Sequence, residues 1–371
     1  MMSEQIVVIG CGDVGPIHVP DSPYSELVRP VLESGDIRFG QCERVYSKRG
    51  VVPDRAADRH SRVDPSMASI FTECGFEVVS LASNHAMDWG AEGMLDTIET
   101  LQSRGIQVVG AGRNQAEARK PAIIERKGIR VAFLAFCSIL REGYAAGENT
   151  PGVAPLRVHT RYEPAEYQPG MPPHVLTQAY EEDLSNLLDD VRAIRADVDA
   201  VVLSLHWGLH FIPRSIATYE IAVSKAVFDA GADLILGHHA HVPKGISSEN
   251  GKVCFHSLSN FIMSSPRASE ERKHIFPRRY GTQLDPEYPH LPYGVDSKRS
   301  LIAKAVIGKQ GMSRASFLPV KIDTKLRPEV LRANDPRFEE ATRYMEWASE
   351  DLPHRFTVDG DEVVVGDRHL A

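Results

Sequence analysis

Short β-branched, apolar runs alternate along the chain with longer stretches in which apolar residues recur every three or four positions. The first pattern predicts buried strands and the second amphipathic helices. Strands are read at 5–11, 76–82, 106–112, 129–137, 199–205, 232–237 and 252–258, and helices at 22–34, 64–75, 91–105, 176–196 and 215–231. Asp64 stands as an N-cap, with Pro65 in the first helical position and Gly75 at the stop. Pro30 weakens the helix at 22–34. Runs at 300–308 and 313–322 predict a late β-hairpin. The alternation predicts a layered α/β fold with an antiparallel portion. Two stretches break it: 138–175 is proline-rich with little periodicity, and 264–298 is basic at first, then rich in Pro and Tyr. Loops of that length in a compact domain are functional lids or mobile insertions.

The predicted strands end in polar residues of a few kinds. They are Gly12-Asp13, Ser83-Asn84-His85 with Asp88 nearby, His206 with His210 four residues on, His238-His239-Ala240-His241, and Ser259-Asn260. A lone histidine after a strand is usually a core residue with its hydrogen bond satisfied. Here five strand ends carry Asp, Asn or His, and in open α/β sheets ligands bind outside the carboxyl ends of the strands. Asp13, Asn84, His206, His239 and His241 offer only nitrogen and oxygen donors, a set suited to Mn, Fe or Zn. On an extended segment residues two apart share a face, so His239 and His241 are expected together, with His238 turned away. With Glu43 and His85 the inventory suffices for two ions sharing a carboxylate, which would polarise a substrate oxygen and generate a hydroxide nucleophile near neutral pH.

Composition narrows the partners. The 371-residue chain is 42% hydrophobic and 25% charged, with net charge −8, which argues against a general nucleic-acid or anionic-membrane binder. A homo-oligomer is left open. Cys11, Cys42, Cys74, Cys137 and Cys254 are widely spaced without a CxxC pair, so neither a thiolate zinc site nor a disulfide framework is indicated. The N-terminal residues enter a strand without a signal-like apolar region, and no apolar run approaches the ~18 residues of a membrane span. A cytoplasmic protein is expected.

The series GDVG (12–15), a carboxylate at 43, ASNHAMDWG (82–90), LHWG (205–208), GHHAHV (237–242) and SLSNF (257–261) resembles the CapA, or poly-γ-glutamate capsule synthesis, family, a branch of the calcineurin-like metallophosphoesterases. The resemblance runs from about residue 6 to about 265. It implies an α/β fold, a four-layer α-β-β-α sandwich of the metallophosphoesterase type with long loop insertions, and a dinuclear centre. It implies a metallohydrolase domain over 1–325, with insertions near 138–175 and 264–298, and a C-terminal extension, 326–371, packed on the same domain. By the same resemblance Asp13, Glu43, Asn84, His206, His239 and His241 are metal ligands, and His85 is the acid near the leaving group. The chain departs from the wider superfamily at Gly15, where Asp-x-His is expected, and at Gln41, where Asn is usual. It also has His210 where the family often has Glu; this histidine is an extra ligand, a proton shuttle or a substrate contact.

The function expected is a metal-dependent hydrolase, with manganese among the candidate metals, acting on a small anionic substrate at an amide or a phosphoester bond. The alternative is a non-catalytic protein of capsule biosynthesis or assembly, against which the retained His85 argues. Arg267, Arg278 and Arg279 follow the Asn260 strand end, and their planar forks suit carboxylate or phosphate oxygens. One or two of them are expected to bind the substrate from a lid, with 138–175 as the opposite wall.

Overall fold

The computed structural model describes residues 4–53, 59–168 and 170–368. The chain builds the core of one sheet, then a second, then returns to the first. Strands β1 (Gln5–Gly15), β2 (Ile37–Cys42), β3 (Val78–Ser80) and β4 (Gln107–Val109) lie side by side and parallel. Strands β5 (Ala122–Arg126), β6 (Ile129–Cys137), β7 (Ala200–His206), β8 (Leu234–His238), β9 (Ile246–Glu249) and β10 (Lys252–Phe255) form the second sheet, in the order β9-β10-β8-β7-β6-β5. Its centre, β6, β7, β8 and β10, is parallel. The return is made by β11 (Asn260–Met263), which pairs parallel with the end of β1, and by the hairpin β12 (Arg299–Gly308) and β13 (Gly311–Ile322). The extension adds β14 (Arg355–Asp359) and β15 (Glu362–Gly366), so the first sheet reads β14-β15-β13-β12-β1-β2-β3-β4.

The sheets pack face to face. Phe39 and Phe133 stack across the interface with ring centroids 5.8 Å apart, and a Cβ on Gly10 would stand 2.7 Å from Leu236 Cδ1. Helix α1 (Gly90–Gln102) buries Met94 and Leu101 against the outer face of the first sheet. Helices α2 (Glu181–Arg195) and α3 (Thr218–Ala230) bury Leu187, Val191, Val223 and Val227 against Val201, Leu203 and Leu205 on the outer face of the second. These are the four layers α-β-β-α. Among the described residues no helix is long and apolar enough to cross a membrane.

The departures from expectation are local. Of the helix expected at 22–34 only Arg29–Glu33 is helical, because Pro23 and Pro30 leave turns around it. Residues 174–179, partly assigned to the next helix, instead pair as a strand with Val158–Glu163. The basic stretch after β11 contains a helix, α4 (Glu270–Tyr280), capped by the Ser269 side chain and anchored by the buried Phe276. In the extension, α5 (Pro336–Ser349) buries Phe338 and Met345, and residues 369–371 lie outside the described residues.

Candidate metal centre

The carboxyl ends of both sheets meet at one edge, and the predicted donors meet there. β1 carries Asp13 at a bulge, where its N–H donates to Ser259 O at 2.9 Å. The approach is close enough that a Cβ on Gly12 would lie 2.0 Å from that oxygen, so position 12 must be glycine. Glu43 follows β2, Asn84 and His85 follow β3, His206 ends β7, and His238 ends β8.

Asp13, Glu43 and His206 are wholly buried, and each brings one ligand atom to within 4.8 Å of the others. His206 Nε2 lies 2.8 Å from Asn84 Oδ1, 3.2 Å from His239 Nδ1 and 3.7 Å from Glu43 Oε1. His241 Nδ1 lies 3.5 Å from Asp13 Oδ2 and 2.8 Å from Asn260 Oδ1. All six predicted ligands are therefore in one cluster. His239 and His241 reach it in a way the sequence argument did not foresee. Their backbones are left-handed (φ 90° and 56°), not extended, so alternation does not decide where they point. His238 does not turn away: its Nδ1 lies 3.3 Å from Asp13 Oδ1.

The electrostatics of this cluster suit a cation. Burial pushes Asp13 up to about 8, and burial with the neighbouring Asp13 charge pushes Glu43 up to about 8. Burial and mutual repulsion hold His206, His239 and His241 well below the usual imidazole range. Both Asp13 oxygens and Glu43 Oε1 lack a hydrogen-bond partner among the described residues, a costly state for buried acceptors. Carboxylates that are expensive to ionise and imidazoles that stay neutral form the donor set a divalent cation needs. The residues present fit such an ion.

Beside the cluster stands a second group. His85 Nδ1 lies 2.6 Å from Asp88 Oδ2, and Asp88 Oδ1 accepts from Tyr144 Oη at 2.8 Å and Arg141 Nη1 at 3.0 Å. Burial draws His85 down, but the Asp88 hydrogen bond and the charges of Glu43 and Asp88 outweigh it and leave its pKa raised. Arg141 and Tyr144 went unnoticed in the sequence. Their place just beyond the end of β6, at the same edge, was the signal available. They are the part of 138–175 that reaches the centre, through Asp88.

His210 does reach the edge, its ring tilted against His239 with centroids 3.8 Å apart and stacked on Phe211 at 4.5 Å, and burial pushes its pKa down to about 3. Arg267, Arg278 and Arg279 are exposed, and Arg267 lines a separate hollow with Lys273, Leu284 and Tyr288. Arg272 is the one tucked inward, its guanidinium 5.9 Å from the Phe211 ring and 5.4 Å from Phe276.

Residues 13–265 match the family described as "Bacterial capsule synthesis protein PGA_cap". The chain belongs to this family. It is 30% identical over 240 residues to the "PGA biosynthesis protein CapA" of Bacillus subtilis, a match covering 64% of this chain and 56% of that one. It is 30% identical over 250 residues to a "Probable polyglutamine synthesis accessory protein" of Mycobacterium tuberculosis, covering 65% and 59%. The matches thus span little more than half the length of these relatives. Among solved structures the chain is similar to the calcineurin-like phosphoesterase YfkN from Bacillus subtilis, at 11% identity over 94% of this chain and 98% of that one, with a TM-score of 0.36.

Proposed function

We propose that this family member is a metal-dependent hydrolase acting on a small anionic substrate at an amide or phosphoester bond. The observation that carries the reading is the His85–Asp88 pair beside the donor cluster, since holding a cation does not require it. A divalent ion held by Asp13, Glu43, Asn84, His206, His239 and His241 would serve as a Lewis acid and bring the acidity of water toward neutral pH. With Nδ1 committed to Asp88, His85 has Nε2 left to hold a proton for the leaving group. His210, uncharged near neutral pH, packs beside His239 and His241 and would contact substrate or relay a proton. An imidazole and two buried carboxylates with raised pKa values lie in one site, an arrangement associated with acid–base function. The five cysteines are all free and buried, consistent with work in a reducing compartment such as the cytoplasm.

The second reading, a non-catalytic protein of capsule synthesis, is favoured by the names of the relatives, one of which is called a probable accessory protein. One experiment separates the two. Metal-loaded protein is assayed on a generic phosphodiester and on a γ-glutamyl anilide, with and without chelator. Chelator-sensitive turnover that disappears in His85→Ala, with metal content unchanged, supports the hydrolase. No turnover on any anionic amide or phosphoester by protein that retains its metal sinks it.

A further inference from the structure

We propose that His238, which no motif assigns, is itself a metal ligand and completes the Asp13 side of the centre; this rests on the metal reading above. His238 is wholly buried, and neither of its ring nitrogens has a hydrogen-bond partner among the described residues. A neutral imidazole carries one N–H donor and one lone pair, so two unengaged nitrogens in a dry site mark a missing partner. The other cluster histidines differ. His206, His239 and His241 each have a ring nitrogen engaged, with Asn84, His206 and Asn260 respectively. The Asp13 carboxyl, whose oxygens likewise lack a hydrogen-bond partner among the described residues, lies beside the His238 ring, with Oδ1 3.3 Å from Nδ1. Two ligands of one first-row ion, each roughly 2.1 Å from it, lie about 3 Å apart. The 3.3 Å separation is of that size.

Strand pairing supports the assignment. His206 and His238 are direct partners in the parallel β7–β8 ladder, so their side chains leave the sheet on the same face. His206 points into the donor cluster, and His238 leaves the same face with its Nδ1 beside Asp13. The fold also shows why no ligand comes from position 15. A side chain at position 15, two residues after Asp13, would begin 2.7 Å from Arg44 Cγ and 3.0 Å from Met263 Sδ. Buried Arg44 is fixed in that space by hydrogen bonds to Gly15 O at 3.2 Å and Ser264 O at 2.7 Å. His238 approaches Asp13 from the opposite sheet.

The test reads metal, not turnover. Apo protein is titrated with Mn(II), and bound metal is counted by elemental analysis for wild type and His238→Gln. Glutamine keeps a donor that can still hydrogen-bond Asp13. The expected result is that the variant loses one ion, or binds it at least 100-fold more weakly. Unchanged stoichiometry and affinity in a folded His238→Gln would overturn the proposal and leave the hydrolase reading standing. A crystal structure of the manganese-loaded wild type decides the case even if the variant does not fold. Anomalous density within bonding distance of a His238 nitrogen supports the assignment, and density bonded to Asp13 alone overturns it. Wild type that binds no transition metal would overturn this proposal and the metal reading together.

Discussion

Asp88 grips His85 from behind: its Oδ2 lies 2.6 Å from His85 Nδ1, while its Oδ1 takes hydrogen bonds from Tyr144 and Arg141. A buried carboxylate with every near neighbour a donor is fixed in orientation, and so is the imidazole it holds. Removing the imidazole should remove the chemistry without removing the metal. His85→Ala is expected to lower kcat by about 10²–10⁴-fold. Asp88→Asn should lower it too, because the amide no longer enforces a proton on Nδ1. Tyr144→Phe deletes one hydrogen bond to a charged group and should cost about tenfold in kcat. Metal content measured alongside kinetics checks all three. A loss of metal in His85→Ala equal to that in His241→Ala would make His85 a ligand instead.

Asn260 has the corresponding part for a metal ligand. Its Oδ1 accepts from His241 Nδ1, and its Nδ2 donates to His241 O at 3.1 Å and Ser297 O at 3.0 Å. The proton is thereby kept on Nδ1 and the lone pair on Nε2. Asn260→Ala should weaken metal binding by about 10–100-fold, the usual effect of losing an outer hydrogen bond to a ligating histidine. Calorimetric titration of the apo variant with Mn(II) checks it. Asn260→Asp, which can still accept from Nδ1, should retain most of the affinity.

The metal-free protein should become less stable as pH rises between about 6.5 and about 8. Asp13 and Glu43 titrate near 8 when folded, against ordinary values of 3.8 and 4.5, so the folded state holds protons that the unfolded chain has released. A raised folded pKa contributes stability that is full below the unfolded value and is lost as pH climbs through the folded one. His85, also raised, has the same sign. The depressed histidines, His206, His238, His239 and His241, act oppositely, but only below their ordinary value of 6.5. Thermal melts of apo protein across that interval should show Tm falling. Saturating Mn(II) should remove the fall, because the ion takes the place of the protons. A flat apo profile would mean the carboxylates are ionised without a cation.

Much of this was legible in the chain and part was not, for identifiable reasons. The run at 129–137 is an unbroken apolar strand and is found as β6 over the same residues. The late hairpin likewise lies where its alternation puts it. By contrast, Val158–Glu163 is almost wholly exposed, so no buried face shaped its sequence, and its partner at 174–179 was absorbed into the neighbouring helix. Helix α4 buries only Phe276 and contains Pro277, which leaves no period to read. At the site, strand ends map to one edge whatever the loop geometry, so the ligand types could be assembled from the sequence. Which way each histidine points could not. His239 and His241 depend on left-handed backbone, and Arg141 and Tyr144 meet Asp88 across more than fifty residues of chain.

If the proposed hydrolase takes an anionic substrate, the placement of the arginines predicts which of them holds its anionic group. Arg267, Arg278 and Arg279 stand in solvent, where an ion contact adds little unless the segment closes on bound substrate. Arg272 is already inside. It donates to Pro292 O at 2.9 Å through Nη2, its Nε is buried without a partner among the described residues, and its charge helps depress His210, which packs against His239 and His241. A guanidinium with an unused donor beside the metal edge suits a carboxylate or phosphate oxygen. Arg272→Ala is therefore expected to raise KM about tenfold or more with kcat little changed, the signature of lost ground-state binding. Arg272→Lys should recover only part, since an ammonium cannot present the fork. Arg267→Ala, Arg278→Ala and Arg279→Ala should each stay within about threefold of wild type while the segment remains open, given the small worth of exposed ion pairs. A larger KM effect at Arg278 or Arg279 than at Arg272 would show that α4 swings its last turn over the substrate, and the anion contact would then belong to those residues.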